Sequence, residues 1–215
     1  GSVTTDAAAT VKIRSEEARA AAESLGAVYH PPIAADIEVF YDKPLLARMG
    51  AIVREIAPDI LLAPSPFDYM EDHTNTCRLV VMAAFCRGMP NFPVTPPLPA
   101  IDRPVALYHA QPHGHRDGLN RFCDPDFFID IDTVIDEKSG LLAMHKSQKE
   151  WLDISQGMDA YLETMRELSR EMGARSGRCI HAEGWRRHNH LGFCDAGSDP
   201  LCDILKEHFL PGRNG

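Results

Sequence analysis

The sequence predicts an α/β protein in which helices cover a parallel sheet. Helical and strand-like segments alternate from about residue 10 to residue 88, which is the rhythm of such a fold. "DILLAP" (59–64) is a short, almost continuously apolar run, typical of a strand covered on both faces. The 215 residues are 44% hydrophobic and 25% charged, an ordinary balance for a globular protein with a sizeable core.

The first half of the chain supplies the clearest periodic segments. "ATVKIRSEEARAAAESLGA" predicts a helix that ends at Gly26, because its apolar residues recur every three or four positions. "IEVFY" predicts a short strand. "PLLARMGAIVREIAP" predicts a second helix, with Pro44 in its first turn and Pro58 just past its end. "TNTCRLVVMAAFCRG" predicts a third helix that ends near Gly88.

The second half mixes strands with a long polar loop. "VALYHA" and "FFIDI" predict strands on either side of "QPHGHRDGLNRFCDPD", and long loops of compact domains are often functional. Asp132 or Thr133 is predicted to cap a helix that runs to about Leu152. "MDAYLETMRELSREMG" predicts a further helix. "CIHAEGWRRHNHLGF" predicts a strand and a loop, with His188 and His190 in an exposed turn, and a short helix follows near the end of the chain.

Charge and composition exclude several partners. The formal net charge of −9 argues against nucleic acid and anionic membranes, since both require a basic face. No apolar run approaches the ~20 residues that span a bilayer, and no signal peptide pattern opens the chain. The six cysteines form no CxxC pair, which predicts reduced thiols in a cytoplasmic protein and argues against a cysteine zinc site.

The segment "SPFDYMEDHTNT" (65–76) is the strongest candidate for a functional site. It follows the "DILLAP" strand, and ligands of open α/β sheets bind beyond the carboxyl ends of the strands. His73 opens a helix next to Asp72, where a neutral imidazole can bind zinc while neighbouring carboxylates orient it. The alternative is that Asp72 only caps the helix and that His73 binds nothing. The spacing alone leaves both readings open.

Four segments in this order carry a resemblance to a known family. They are "RSEEARAAAESLGA", "PDILLAPSPFDYMEDHTNTCRLV", "FFIDIDTVIDEKSGLLAMHKSQKEW" and "HAEGW". They resemble the PIG-L/LmbE-like N-acetylglucosaminyl deacetylases, which have an R-x-x-E-A helix, a D-Y-x-x-D-H loop and an H-x-S-Q helix. The resemblance implies a Rossmann-like parallel sheet flanked by helices, with an α/β C-terminal extension, in a single LmbE-like domain over residues 1–215.

The resemblance also implies a reaction and roles for particular residues. The reaction is zinc-dependent hydrolysis of an N-acetyl amide on a small amino-sugar conjugate. His73 corresponds to a zinc ligand of the family, and Asp72 is a candidate catalytic residue. Arg14 corresponds to an arginine that faces the substrate in relatives, and Asp68 and Tyr69 are candidate substrate-binding residues.

Two departures from the family pattern shape the expectations. The sequence contains no H-P-D-D, the motif that supplies two further zinc ligands and the general base. We expect that an N-terminal strand and this motif are missing from the chain, and that the chain alone binds zinc poorly. Met70 replaces a histidine that stabilises the oxyanion in several relatives. His113, His115 or Tyr69 is a candidate replacement, since the polar loop is predicted to fold over the site.

Other interpretations stay open at this point. His113 and His115 could be exposed or could serve a neighbouring subunit of a homo-oligomer, and with His109 they form an alternative metal site. "HKSQ" (145–148) is interpreted as structural or as a contact between subunits. The protein could also be a non-catalytic member of the family that binds carbohydrate or acts as an assembly scaffold, or a hydrolase of another amide or ester.

Overall fold

The computed structural model describes residues 5–148 and 160–212, and the chain divides into two compact units. The first unit comprises residues 1–32 and 130–182, and the second comprises residues 33–129 and 183–215. The single domain expected from the sequence stays a prediction. Among the described residues, no helix is long and apolar enough to cross a membrane.

The sheet lies mainly in the second unit. Its strands are β1 (Ile60–Ala63), β2 (Ala106–Ala110), β3 (Phe127–Asp130), β4 (Ala182–Arg187) and β5 (Phe209–Pro211), in the order β1-β2-β4-β3-β5. β1 and β2 are parallel, whereas β2 pairs antiparallel with β4 and β3 pairs antiparallel with β5. The predicted α/β class is confirmed, although the sheet is mixed rather than parallel throughout.

The pairing of β1 with β2 positions the candidate site. In this register Ala63 lies opposite His109, so both strands end at the same edge of the sheet. Ala63 and Leu107 are buried and share one core cluster with Phe193. Leu62 of β1 is 55% exposed, so the prediction that this strand is covered on both faces is wrong. The "SPFDYMEDHTNT" loop and the polar loop that begins at Gln111 therefore leave the sheet side by side.

Two helices of the second unit pack together beside the sheet. α2 (Lys43–Ile56) begins after Asp42, whose carboxylate accepts a hydrogen bond from the Leu45 amide at 2.8 Å. α3 (Glu71–Phe85) follows the candidate loop. The apolar faces of the two helices meet in a cluster that includes Leu45 of α2 and Leu79 of α3. A short helix, α6 (Pro200–Leu205), lies near the end of the chain.

The predicted "IEVFY" strand is wrong, because this segment is irregular in the structure. Ile37 has a φ of 68° and its amide donates to the Asp72 carboxylate at 2.6 Å. The Asn75 amide group donates to the Val39 carbonyl at 2.9 Å. Side chains from the start of α3 thus satisfy the backbone groups that a strand partner would otherwise satisfy.

The described helices of the first unit are α1 (Ala7–Ser24), α4 (Ile135–Ala143) and α5 (Ala160–Ser176). The Glu17 carboxylate of α1 accepts hydrogen bonds from the Ser147 amide at 2.7 Å and the Ser147 hydroxyl at 2.8 Å. Glu17 belongs to the R-x-x-E pattern and Ser147 to the H-x-S-Q pattern. These two family-like motifs therefore meet in a structural contact within the first unit.

The predicted cap of α4 is wrong. Val134 precedes the helix, and no side chain caps its first turn. The Asp132 carboxylate instead accepts the amides of Ile180 at 2.9 Å and His181 at 2.7 Å, and these hydrogen bonds hold the pKa of Asp132 below its usual value. α4 ends at Ala143, so the prediction of a helix that continues to about Leu152 is wrong at residues 144 and 145, and residues 149–152 lie outside the described residues.

Candidate functional site

The ring of His73 is held by a buried carboxylate. The Asp68 side chain is only 3% exposed, and its Oδ1 lies 3.0 Å from Nδ1 of His73 and accepts the Met70 amide at 2.9 Å. Because the carboxylate accepts, Nδ1 carries the proton in the neutral form of the His73 ring, and in that form Nε2 has a free lone pair. The His73 side chain is 43% exposed. A carboxylate that fixes the far nitrogen of an imidazole is typical of metal-binding histidines.

Tyr69 and His113 lie around His73. The ring of Tyr69 meets the ring of His73 edge-on at 6.0 Å between centroids, and the ring of His113 at 6.5 Å. Gly118 of the polar loop passes so close to the candidate loop that a Cβ there would lie 3.5 Å from the Asp68 carbonyl oxygen. The polar loop therefore folds against the candidate loop. His115 is 7% exposed and contacts Phe122 inside the polar loop.

The other candidate residues have contacts of a different kind. The Asp72 carboxylate, in the first turn of α3, accepts the Ile37 amide, which is a structural contact. Arg14 is half-buried on α1 in the first unit, where its positive charge opposes the rise that burial causes in the pKa of Tyr161. The catalytic role of Asp72 and the substrate-binding role of Arg14 stay predictions.

The described residues offer a metal ion only part of a site. Within residues 5–148 and 160–212, no three His, Cys, Asp or Glu side chains are grouped so that they could hold a metal. His73 fits one ligand position, with Asp68 orienting it. A catalytic zinc usually has three protein ligands, so the present set does not complete a zinc site. Zinc stays a prediction.

A second polar cluster, which the sequence did not reveal, surrounds an open cavity of about 520 Å³ in the second unit. His109 at the end of β2 and His188 just after β4 both line it. Nε2 of His109 lies 2.8 Å from Nδ1 of His188. His188 is half-buried, so its prediction as part of an exposed turn is wrong.

The hydrogen bonds assign the tautomers of this pair. Nδ1 of His109 lies 3.0 Å from the Pro64 carbonyl oxygen, which can only accept, so Nδ1 of His109 carries a proton. Nε2 of His109 must then accept from Nδ1 of His188, and Nε2 of His188 keeps a lone pair. Burial lowers the pKa of His109 to about 4 and lowers that of His188, so both rings are neutral at pH 7.

The cavity is rich in arginine. Arg78 of α3 and Arg186 and Arg187 of β4 line it, and Asp126 is the carboxylate among its lining residues. No motif in the sequence marked these arginines. The only hint in the sequence was the adjacent pair "RR" after "AEGW". Neighbouring residues of a strand face opposite sides, so the sequence did not predict that both arginines line one cavity.

The chain is similar to known deacetylases in sequence. The family model described as PIG-L, GlcNAc-PI de-N-acetylase, matches residues 1–85. The diacetylchitobiose deacetylase of Thermococcus kodakarensis is 28% identical over 140 residues, which are 63% of this chain and 49% of that protein. The chain therefore spans about half the length of the curated relative that it matches.

Solved structures share the fold. A 4-carboxy-2-hydroxymuconate hydratase from Pseudomonas putida has a TM-score of 0.67 at 22% identity, covering 92% of this chain and 78% of its own. A conserved protein from Thermus thermophilus has a TM-score of 0.65 at 20% identity, and the match covers 87% of this chain and 78% of its own. The N,N'-diacetylchitobiose deacetylase of Pyrococcus horikoshii has a TM-score of 0.65 at 20% identity, and the match covers 88% of this chain and 68% of its own. Identities this low establish the fold alone. With the family model and the curated relative, they confirm the predicted resemblance of the chain to the PIG-L/LmbE-like N-acetylglucosaminyl deacetylase family.

Proposed function

We propose that the protein is a metal-dependent N-deacetylase that hydrolyses the N-acetyl amide of an amino-sugar conjugate. The arrangement of His73 and Asp68 carries the proposal. His73 lies just beyond the carboxyl end of β1, its Nδ1 is fixed by a buried carboxylate, and its Nε2 keeps a lone pair. The names of the matching family and of the curated relative, both de-N-acetylating enzymes, support this reaction.

The residues around His73 have distinct roles in this proposal. Bound zinc would supply a Lewis acid that polarises the amide carbonyl, with Nε2 of His73 as one ligand. Asp68 keeps the ring of His73 in one orientation. Tyr69 is 58% exposed, and its ring contacts those of His73 and His113. The Tyr69 hydroxyl and the His113 ring are therefore the nearby donors for the oxyanion that Met70 cannot stabilise. Zinc in this site would need further ligands beside His73.

Replacement of His73 and Asp68 tests the proposal. The experiment uses the protein with every residue that its gene encodes, and it measures zinc content beside acetate release. His73→Gln should lose zinc and activity together. Asp68→Asn should weaken zinc binding by about 10- to 100-fold, because the ring loses its orienting carboxylate. Asp59→Asn, at the exposed amino end of β1, is the matched control. Unchanged zinc content in His73→Gln would contradict the proposal.

A second candidate function is hydration of an unsaturated carboxylate. The arginine-rich cavity favours it, because several guanidinium groups around one space suit a substrate with carboxylates. The hydratase among the solved structures shows that this fold can hold such an activity. The two candidates differ in product. The deacetylase releases acetate and a free amine, whereas the hydratase adds water to a conjugated double bond and removes its ultraviolet absorbance.

A further inference from the structure

The arginine-rich cavity has more positive than negative charge in its wall. Three guanidinium groups and one carboxylate line it, and its two imidazoles are neutral. Asp126 is already engaged, because its Oδ2 accepts the Arg187 amide at 3.0 Å. This local excess contrasts with the formal net charge of −9 for the whole chain. A positive cavity in an acidic protein is a specific feature of this surface and not a result of overall composition.

Among the described residues Arg186 forms no salt bridge, although the charge of Asp126 acts on it. Its Nη2 donates to the Ser65 hydroxyl at 2.8 Å and to the Ala110 carbonyl at 3.3 Å, and both acceptors are neutral. Its Nε is buried and has no hydrogen-bond partner among the residues that the structure describes. Burial lowers the pKa of the guanidinium. Arg186 is half-buried and its described hydrogen-bond acceptors are neutral, so its guanidinium suits an anionic ligand.

Arg78 supplies a second guanidinium at the open side of the cavity. It lies over the ring of Tyr41, 4.2 Å from the centroid, and this cation–π contact fixes its position. In the described part of the chain Arg78 forms no ion pair. Arg187 differs, because it lies 3.9 Å from the Asp199 carboxylate and also contacts the Ser198 carbonyl. Arg78 and Arg186 are therefore the two cations left for a ligand.

His188 adds an acceptor to these donors. Its Nδ1 donates to His109, so its Nε2 lone pair remains. No described hydrogen bond uses Nε2 of His188. A ligand that suits the cavity presents an oxyanion to guanidinium groups and a hydroxyl to an imidazole nitrogen.

We propose that this cavity binds the oxyanion of an acidic sugar derivative, with Arg78 and Arg186 on the carboxylate or phosphate and Nε2 of His188 accepting from a sugar hydroxyl. The cavity adjoins the candidate site, because Cys77 in its wall lies one turn after His73 on the same face of α3, and Phe67 belongs to the same loop as Asp68. The inference rests on the proposed deacetylase and narrows its substrate to amino sugars that carry an acidic group.

Binding measurements test the inference without turnover. Calorimetry of the whole protein compares N-acetylglucosamine with N-acetylglucosamine 6-phosphate and with N-acetylmuramic acid, which carries a carboxylate. At least one acidic sugar should bind about 10- to 100-fold more tightly than the neutral sugar, because its hydrogen bonds are charge-assisted. The tighter of the two acidic sugars identifies whether phosphate or carboxylate is the natural group.

Arginine variants locate the binding. Arg186→Met and Arg78→Met should each remove most of the preference for the acidic sugar over the neutral sugar. Arg103→Met makes the same change in net charge at the exposed ion pair with Asp59, at the amino end of β1, and should keep the preference. Arg78 is exposed, so Arg78→Met gives a decisive result even if Arg186→Met fails to fold.

The outcomes separate this inference from the proposed function. Equal affinity for the three sugars, or a preference that survives Arg78→Met, would overturn the anion site even if the protein releases acetate. Tight, arginine-dependent binding of an acidic sugar without acetate release would support the anion site. That result would count only against the proposed deacetylase activity.

Discussion

The buried imidazole of His109 makes the stability of the second unit depend on pH. His109 is 4% exposed, and burial lowers its pKa from 6.5 to about 4. As the pH falls below 6.5, the unfolded chain takes up a proton at this position while the folded protein does not. Stability that is fully present above pH 6.5 is therefore lost as the pH falls toward the folded pKa.

The size of this loss follows from the shift. When the pH falls from 6.5 to 4.5, protonation of this one imidazole stabilises the unfolded chain but not the folded protein. The free energy of unfolding therefore falls by roughly 2.5 kcal/mol. His109→Gln removes the titration and keeps a donor for the Pro64 carbonyl and an acceptor for His188. The variant should be less stable than the wild type at pH 7, and the gap should shrink by roughly that amount at pH 4.5.

Urea unfolding of both proteins at pH 7 and pH 4.5 measures the gap. His113→Gln, the same substitution at an exposed histidine, is the matched control. A His109→Gln gap of the same size at both pH values would show that His109 is not kept neutral by burial, and would refute the reasoning about the histidine pair.

Three further predictions concern stability. Arg54→Met should lower the free energy of unfolding in urea by about 3 kcal/mol or more. The reason is that the buried guanidinium donates to the backbone carbonyls of residues 86, 87, 89, 92 and 98. A loss below ~1 kcal/mol would contradict these contacts. A double-mutant cycle of Glu17→Gln and Ser147→Ala should give a coupling of about 1 kcal/mol, and additive effects would show that the contact is not formed. Gly173→Ala should lower the melting temperature, because the new Cβ would overlap the Ile180 carbonyl. Gly140→Ala should raise the melting temperature, because there is open space for the Cβ and a helical glycine is removed. Equal shifts of the two melting temperatures would be inconsistent with the packing of α5.

Local sequence predicted the elements whose cause is local. "VALYHA" forms a strand because its side chains are buried in the core, and "DILLAP" pairs with it although Leu62 is 55% exposed. "IEVFY" has the residue types of a strand, yet the structure satisfies its backbone with Asp72 and Asn75. Those partners lie 35 and 36 residues away, and periodicity carries no information about them.

In the candidate site, too, the sequence predicted the local features but not the contacts between distant residues. The sequence predicts that His73 follows a strand and that a polar loop folds over the candidate loop. The structure has His73 in the first turn of α3, after β1, and Gly118 of the polar loop close to Asp68. The sequence indicates Asp68 only as a candidate for substrate binding, because spacing does not show that its carboxylate is buried against His73. The pairing of His109 with His188 spans 79 residues and depends on the antiparallel register of β2 and β4, which no local pattern reveals.

Acetate release by the protein with all residues that its gene encodes is the most direct test of the central claim, that His73 belongs to a metal-dependent N-deacetylase. The substrate set contains N-acetylglucosamine and its acidic derivatives, each with added zinc and with a chelator. The account predicts zinc-dependent acetate release that matches the free amine formed, that the chelator abolishes, and that His73→Gln lacks. Acetate release that is equal with zinc and with the chelator, or that persists in His73→Gln, would contradict it, as would a protein that binds zinc stoichiometrically and releases no acetate from any of these sugars.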